Sequence, residues 1–421
     1  MKIPAQDVID KAKQVIYGNL KTGYSNWAKM EYKYICPSRH HYSHQWFWDS
    51  CFHAIVLSHF DPELAKNELR NLTKMQREDG FIPHVIFWDP PLLSLHGAAL
   101  ESKFSLFPKT TELIQPPLLA EAVNAIYQKD KDRYFLVEML PKLTDYYSWL
   151  ADNRDPDRDG LLSIIAPYES GMDQSPSYDE VCDIRSKTKL GVAIGCRKVT
   201  LRHMLHNYDL KKIFAEDYFN VEDVFVNSIY IKNLKVLVRL LESFGEEKQA
   251  KKFSLIAKKA QDNLIAKCFD EKTNFFFDTY SKEEKNTTAK TIKGLMPLIL
   301  GIDEKIAKNL VTKHLSNKDE FDLPYPVPTV AADDPDFRAR PTMIFGEPLI
   351  WRGPTWISTN WYLVNGLREH GFGQQAEKIV EASVGLVRQQ GFREFFDPIS
   401  GKGFGAEDFS WSTLVVDMIQ N

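Results

Sequence analysis

Two segments of this sequence gather carboxylates among residues that shape turns and exclude water. In PYESGMDQSPSYD (167–179), Glu169, Asp173 and Asp179 share a stretch with Ser170, Gly171, Ser175 and Pro176. Those turn formers stop any helix, so the acids sit on a shaped loop, although ordinary turn chemistry alone also accounts for them. In FREFFDPISGKGFGAEDFSWS (392–412), Glu394 lies among phenylalanines ahead of the turn DPISG (397–401). Aromatic neighbours strip water from a carboxylate and move its pKa. The same segment also allows Glu394 to pair with Arg393 or Arg352. Asp408 is placed to cap the last helix. Asp173 and Glu394, 221 positions apart, form the pair that glycoside hydrolysis needs. One acid protonates the leaving oxygen, and the other activates water or attacks carbon.

Around these acids the sequence sets aromatic clusters. HHYSHQWFWDSCFHA (40–54) carries Tyr42, Trp46, Trp48 and Asp49 just before an apolar helix. LIWRGPTWISTNWYLVNGL (349–367) breaks at Gly353-Pro354, which positions Trp351 and Arg352 ahead of a helix bearing Trp356 and Asn360. DGFIPHVIFW (79–88), IQPPLLAEAV (114–123) and NSIY (227–230) add Trp88, Gln115 and Tyr230. Seven of the nine tryptophans fall in such stretches (Trp46, Trp48, Trp88, Trp351, Trp356, Trp361, Trp411), beside many charged and amide residues. That mixture suits a sugar, whose C–H faces pack on rings while its hydroxyls need polar partners. His40, His41 and His44 lack the spacing of a metal site, and no HExxH accompanies them. DPDRDG (155–160) matches the opening of a calcium loop, but Ala166 stands where its twelfth-position Glu belongs, so an Asp-rich turn is expected. With no P-loop, GxGxxG or GxSxG pattern, no cofactor and no metal are expected.

These residues need a frame. Apolar periodicity predicts helices near 6–16, 62–77, 117–128, 131–151, 222–244, 246–268, 355–369, 372–389 and 409–419. Short strands are expected at FIPHVIF (81–87) and LLSII (161–165), with long loops at 81–116, 153–190, 318–354 and 391–408. Long helices alternating with functional loops predict an all-α (α/α)6 toroid, with a few short strands and the loops at one rim. Residues 1–421 read as a single catalytic domain. The lysine-rich stretch 281–293 reads as a solvated loop, and LPYPVPTV (323–330) as a rim loop. A 43% hydrophobic content excludes a disordered chain, and a net charge of −4 argues against nucleic acid as a partner. Five widely spaced cysteines without a CxxC suggest a reduced, cytoplasmic protein. The first residues lack a signal peptide's apolar core, and no run reaches membrane-spanning length.

The motifs QPP, ESGMDxSP, WRGPxW and ExxDPxxG…FxWS, in this order along the chain, resemble glycoside hydrolase family 63 and related trehalase-like enzymes. The compact length and the QWFWDS box are most similar to its small bacterial members, the mannosylglycerate and glucosylglycerate hydrolases. The resemblance runs from about Tyr42 to Trp411. It implies the toroid and an inverting mechanism, with Asp173 matching the general acid and Glu394 the general base. Asp49 matches a carboxylate that holds sugar hydroxyls. Tyr42, Trp46, Trp48, Trp88, Gln115, Tyr230, Trp351, Arg352 and Trp356 match the pocket lining, where Arg352 or aromatic hydroxyls would supply donors to a glycerate carboxylate. Glu407 is the rival base, but its place before the final helix suggests a cap or rim role. Gln174 stands where relatives usually have Asn, and Ile350 where small relatives often have an aromatic. The expected partner is a small α-glycoside. Alternatives are an α-glucosidase or trehalase-like enzyme on short α-glucosides, a sugar epimerase, or a non-catalytic sugar-binding toroid.

Overall fold

The computed structural model describes residues 5–92, 100–184, 189–340 and 349–421. It is mostly helical, with helices α1 Gln6–Gly18, α2 Phe47–Leu57, α3 Pro62–Thr73, α4 Leu119–Asp130, α5 Arg133–Asn153, α6 Lys189–Leu205, α7 Leu210–Glu216, α8 Val224–Glu242, α9 Glu247–Cys268, α10 Glu304–Asn309, α11 Ile357–Glu369, α12 Gly373–Gln390 and α13 Val415–Gln420. Two 3-10 segments, Ile292–Leu300 and Ser410–Leu414, complete the core. The longest hairpin pairs β1 (Leu20–Ser25) with β2 (Met30–Ile35). Elsewhere strands are two residues long.

Burial sorts these segments into two sets. Every residue of α2 and of Ile292–Leu300 is buried, as are most of α8 and α11. A segment that is apolar all round must be covered all round. These inner segments meet in a cycle: α2 against α4, α4 against α8, α8 against Ile292–Leu300, that segment against α11, α11 against Ser410–Leu414, and the last back against α2. More amphipathic helices flank them, with α3 on α2, α5 on α4, α9 on α8 and α12 on α11. Caps set the boundaries. Asp223 accepts from Val226 N–H at the start of α8, and Gly245 adopts a φ of +76° just past its end.

The cycle aligns the inner segments so that the loops entering them lie together. Tyr42 and Trp46 precede α2, Gln115 precedes α4, Trp351 and Arg352 precede α11, and Glu394 precedes Ser410–Leu414. The expected rim segment 323–330 is drawn in by bridges of Pro328 to Thr355 and of Thr355 to Phe396. Several expectations need correction. Only Val85–Ile86 of 81–87 forms a strand, and 161–165 contributes a single bridge, Ile164 to Val221. The helix α6 has no clear apolar face and escapes a periodicity search. The lysine-rich stretch is solvated only at first: Thr291 and Ile292 are buried, and Lys293 enters the core 1% exposed. The loops expected at 81–116, 153–190 and 318–354 include residues 93–99, 185–188 and 341–348, which lie outside the described residues. All five cysteines are free thiols. Among the described residues no helix is long and apolar enough to cross a membrane.

Candidate active site

Glu394 owes its setting to a tight return of the chain. Phe395–Phe396 pairs with Gly403–Phe404, which brings Ala406 back over Glu394. Glu394 N–H donates to the Ala406 carbonyl at 3.0 Å, and Ala406 N–H donates to Glu394 Oε2 at 2.9 Å. The Tyr42 hydroxyl donates to Oε1 at 3.0 Å. Neither arginine that the sequence offered as a partner sits here: Arg393 pairs with Glu407 at 2.8 Å, and Arg352 with Asp179 at 2.5 Å. Burial pushes the Glu394 carboxyl up to about 7, against the pull of the two donors, and the charge of Asp173 adds to the rise. Gly405 makes the return feasible. At its φ of +70° an added Cβ would lie 2.5 Å from Glu394 Oε2. Gly405→Ala is therefore expected to displace Glu394 and lower kcat by on the order of 10²-fold, read from initial rates with circular dichroism as the folding check.

Asp49 lies in the first turn of α2 and is 3% exposed. Burial pushes its carboxyl up to about 8, with the charges of Glu68 and Glu394 adding and its own backbone N–H opposing. At neutral pH it is a neutral carboxyl, able both to donate and to accept.

Asp173 is half-buried, and its charge raises both Glu394 and Tyr42, so the three confront one another. Its loop rests on three buried cations from three elements. Arg154, just past α5, grips Glu169 in a two-bond fork at 2.6 and 2.8 Å. Lys293 donates to Ser177, Asp223 and Asp278 at 2.8, 2.6 and 2.9 Å, beneath the ring of Tyr178. Arg352 forks onto Asp179 at 2.5 and 2.9 Å and donates from Nε to the Gln174 carbonyl at 3.0 Å. The two positions that depart from the expected pattern meet, since Ile350 N–H donates to Gln174 Oε1 at 3.2 Å. Gly171, at φ +71°, lets the loop lie on Trp48, whose ring atoms would be 2.5 Å from an added Cβ.

An aromatic wall connects these parts. Trp351 and Trp356 stack at 4.0 Å, 6° from parallel. Trp411 stands edge-on to both and to Trp48, and Phe409 bridges Trp411 to Tyr42. Tyr42 meets Trp46 edge to face. The indole N–H groups of Trp46 and Trp411 are buried, with no hydrogen-bond partner among the described residues.

Residues 42–412 match the family model of the mannosylglycerate hydrolase MGH1-like glycoside hydrolase domain. The chain belongs to this family. It is a glycoside hydrolase, as the resemblance to family 63 led us to expect. Among its relatives is the mannosylglycerate hydrolase of Thermus thermophilus, 29% identical over 91% of this chain and 95% of that protein. Another is the glucosylglycerate hydrolase of Mycolicibacterium hassiacum, 25% identical over 89% of this chain and 91% of that protein. A crystal structure of the family 63 mannosylglycerate hydrolase from T. thermophilus, in complex with Tris and D-glycerate, superposes with a TM-score of 0.84. It is 27% identical and aligned over 98% of this chain and 99% of that one.

Within this family frame, the residues singled out from sequence fall into three groups. Tyr42, Trp46, Trp48, Trp351, Trp356 and Glu394 are linked by the contacts above, and Asp49 and Asp173 lie near enough for their charges to act on Glu394 or be acted on by it. Gln115 accepts the Trp48 N–H at 3.0 Å. Three others turn elsewhere. Arg352 is 1% exposed and committed to Asp179 and Gln174. Tyr230 lies in the core, stacked with Tyr147. Trp88 packs on Trp27 and Tyr32 and donates to Gln45 at 2.8 Å. Glu407 is exposed, and Asp408 caps nothing: Phe409 occupies the N-cap position, and Asp408 instead offers its carbonyl to Asn19. DPDRDG is a turn in which Asp155 accepts from Asp159 and Gly160, and the Lys267 ammonium lies 2.5 Å from Asp159. Sequence reasoning placed Trp411 among the tryptophans whose setting suits a sugar without naming it in the pocket lining, and it missed Phe409. It also missed Gly405, whose signal was its place in a turn beside the acid.

Proposed function

We propose that this chain is an inverting α-glycosidase acting on a small glycoside of the glucosylglycerate or mannosylglycerate type. One observation carries the reading: Glu394 is buried, held by Tyr42 and the Ala406 N–H, tuned to near-neutral pKa, and faced by the charge of Asp173. Asp173 gives its proton to the glycosidic oxygen as the bond from the anomeric carbon breaks. Glu394 takes a proton from a water that forms the new bond on the opposite face. The productive state, with Asp173 protonated and Glu394 ionised, is self-consistent: burial is the main cause that lifts Glu394, and protonating Asp173 removes the charge that adds to it. Asp49, neutral at pH 7, holds sugar hydroxyls as donor and acceptor, and the tryptophan wall packs the sugar's C–H faces. Trp46, Trp48, Trp351 and Trp356 supply that wall.

The names of the relatives support the substrate class. A glycerate carboxylate draws its donors from aromatic hydroxyls and indole N–H groups, since Arg352 would have to abandon Asp179 to reach it. We read the cycle of inner segments with its outer helices as an (α/α)6 toroid formed by one domain, residues 1–421. Free cysteines accord with a cytoplasmic enzyme.

The test is proton NMR of the protein with glucosylglycerate, mannosylglycerate, trehalose, kojibiose, nigerose and maltose. The expected result is one glycerate substrate consumed, with the β-anomer of the sugar appearing first. An α-anomer appearing first would overturn inversion. Hydrolysis of a disaccharide alone would overturn the substrate class.

A further inference from the structure

The three cations under the acid loop do not stand at equal distances from Asp173 along the chain. Arg154 holds Glu169, four residues before it. Lys293 holds Ser177 and underlies Tyr178, four and five residues after it. Arg352 alone bonds the residue next to Asp173, through the carbonyl of Gln174. With its other nitrogens it holds Asp179, so one guanidinium ties the two ends of the 174–179 segment together. On the other side the Cys196 thiol donates to the carbonyl of Asp173 itself at 3.4 Å. The backbone carrying the acid is thus pinned at consecutive carbonyls by donors from two different elements. Two residues before Arg352, Ile350 N–H ties the Gln174 side chain to the same stretch of chain. An Asn at 174 would be shorter by one methylene and would not span that gap with the backbone where it stands.

The geometry points to Arg352 as a positioning residue for proton transfer from Asp173, acting through Asp179 and the Gln174 carbonyl rather than by touching substrate. This rests on Asp173 being the general acid. Lysine cannot do the same work. It offers a point charge where the guanidinium supplies a planar fork plus a third donor in fixed geometry. A shift of about 1 Å in a reacting group costs on the order of 10²-fold in rate, so loss of the fork falls on kcat more than on KM.

The experiment compares Arg352→Lys, Asp179→Asn and Asp173→Asn on two substrates: the natural glycoside, and the α-fluoride of the same sugar. Fluoride departs without needing an acid, whereas an alkoxide does not. A residue that positions the acid therefore betrays itself by a loss confined to the glycoside. Arg352→Lys is expected to lose about 10- to 100-fold in kcat on the glycoside, with KM little changed and a much smaller loss on the fluoride. Asp179→Asn should show the same selectivity, and the double variant should lose less than the product of the two, since both act through one contact. Equal losses on both substrates would make Arg352 a scaffold residue only, and no loss would remove it from the reaction; either result overturns the inference. Asp173→Asn separates the two failures. If its own loss is selective while that of Arg352→Lys is not, only the role of Arg352 falls. If its loss is equal on both substrates, the acid assignment falls first and takes this inference with it. Should Arg352→Lys fail to fold, Asp179→Asn, which keeps the buried cation and removes only the acceptor's charge, decides the same question.

Discussion

Asp173→Asn is expected to cut kcat on the natural glycoside by on the order of 10³-fold, the span general acid catalysis commonly supplies. The substitution keeps size and shape. The loop's anchors, Glu169 on Arg154 and Asp179 on Arg352, do not pass through the Asp173 side chain, and the Cys196 bond goes to its backbone. Structure and substrate binding should therefore survive, and the deficit should sit in kcat. A second consequence is specific to this site. The negative charge of Asp173 helps to hold Glu394 up near 7. In the Asn variant that push is gone, so Glu394 ionises at lower pH. The acid limb of kcat/KM, measured on the α-fluoride, should move down from about 7 relative to the parent enzyme. A rate on the glycoside within threefold of the parent would refute the assignment of Asp173, and an unmoved acid limb would refute the electrostatic coupling.

Glu394→Gln should abolish turnover and at the same time stabilise the protein above neutral pH. Activity needs the ionised carboxylate, so the parent's kcat/KM should rise with pH through about 7, and the need for a protonated Asp173 should bring it down again on the alkaline side. Stability runs the opposite way. A carboxyl whose folded pKa lies above its unfolded value of 4.5 keeps its full stability below pH 4.5 and loses it as pH climbs through 7. At pH 8 the buried charge costs about 3 kcal/mol. Glutamine removes that charge. It can still accept from the Ala406 N–H with its oxygen and donate to the Tyr42 hydroxyl with its nitrogen, so neither contact is left unsatisfied. Denaturant midpoints of parent and variant should nearly coincide at pH 4.5 and separate in the variant's favour by pH 8. A variant that is less stable at pH 8 would show that the site does not hold a strained base. Glu394→Ala, in contrast, leaves the Ala406 N–H without its acceptor and should be destabilised at both pH values.

Glu394 and Asp173 stood out because their local surroundings are unusual. An acid among phenylalanines and an acid in a Gly-Ser-Pro turn are both poor choices for a solvated helix face. The helices around them were readable for the same reason, since α8 and α9 advertise apolar stripes over many turns. The reading weakened where a segment is short and departs from α-helical geometry, as in the 3-10 segment Ile292–Leu300 with Pro297 inside it. It failed for α6 because its apolar residues do not line one face.

Side-chain direction was the other gap. Arg352 sits in a motif between tryptophans, and a pocket position is the natural expectation for it. Its actual partner, Asp179, is 173 positions away and lies in the same loop as Asp173. Lys293 ends a run of surface-like residues, yet its ammonium is surrounded by Asp223, Asp278 and Ser177 from three separate stretches.

Residue chemistry is local, and so the acids, the aromatic wall and the type of reaction can be inferred from short words of sequence. The pKa of Glu394 is not local. It depends on a tyrosine 352 positions away, on the Ala406 amide carried back by a turn, and on the charge of Asp173. Only the closing of the inner segments into a cycle brings those groups within reach of one another and removes the water that would otherwise screen them. Which cation holds the loop of Asp173, and which carboxyl is desolvated and raised to near neutrality, were decided there, because desolvation and hydrogen-bond geometry come into being only when distant segments pack.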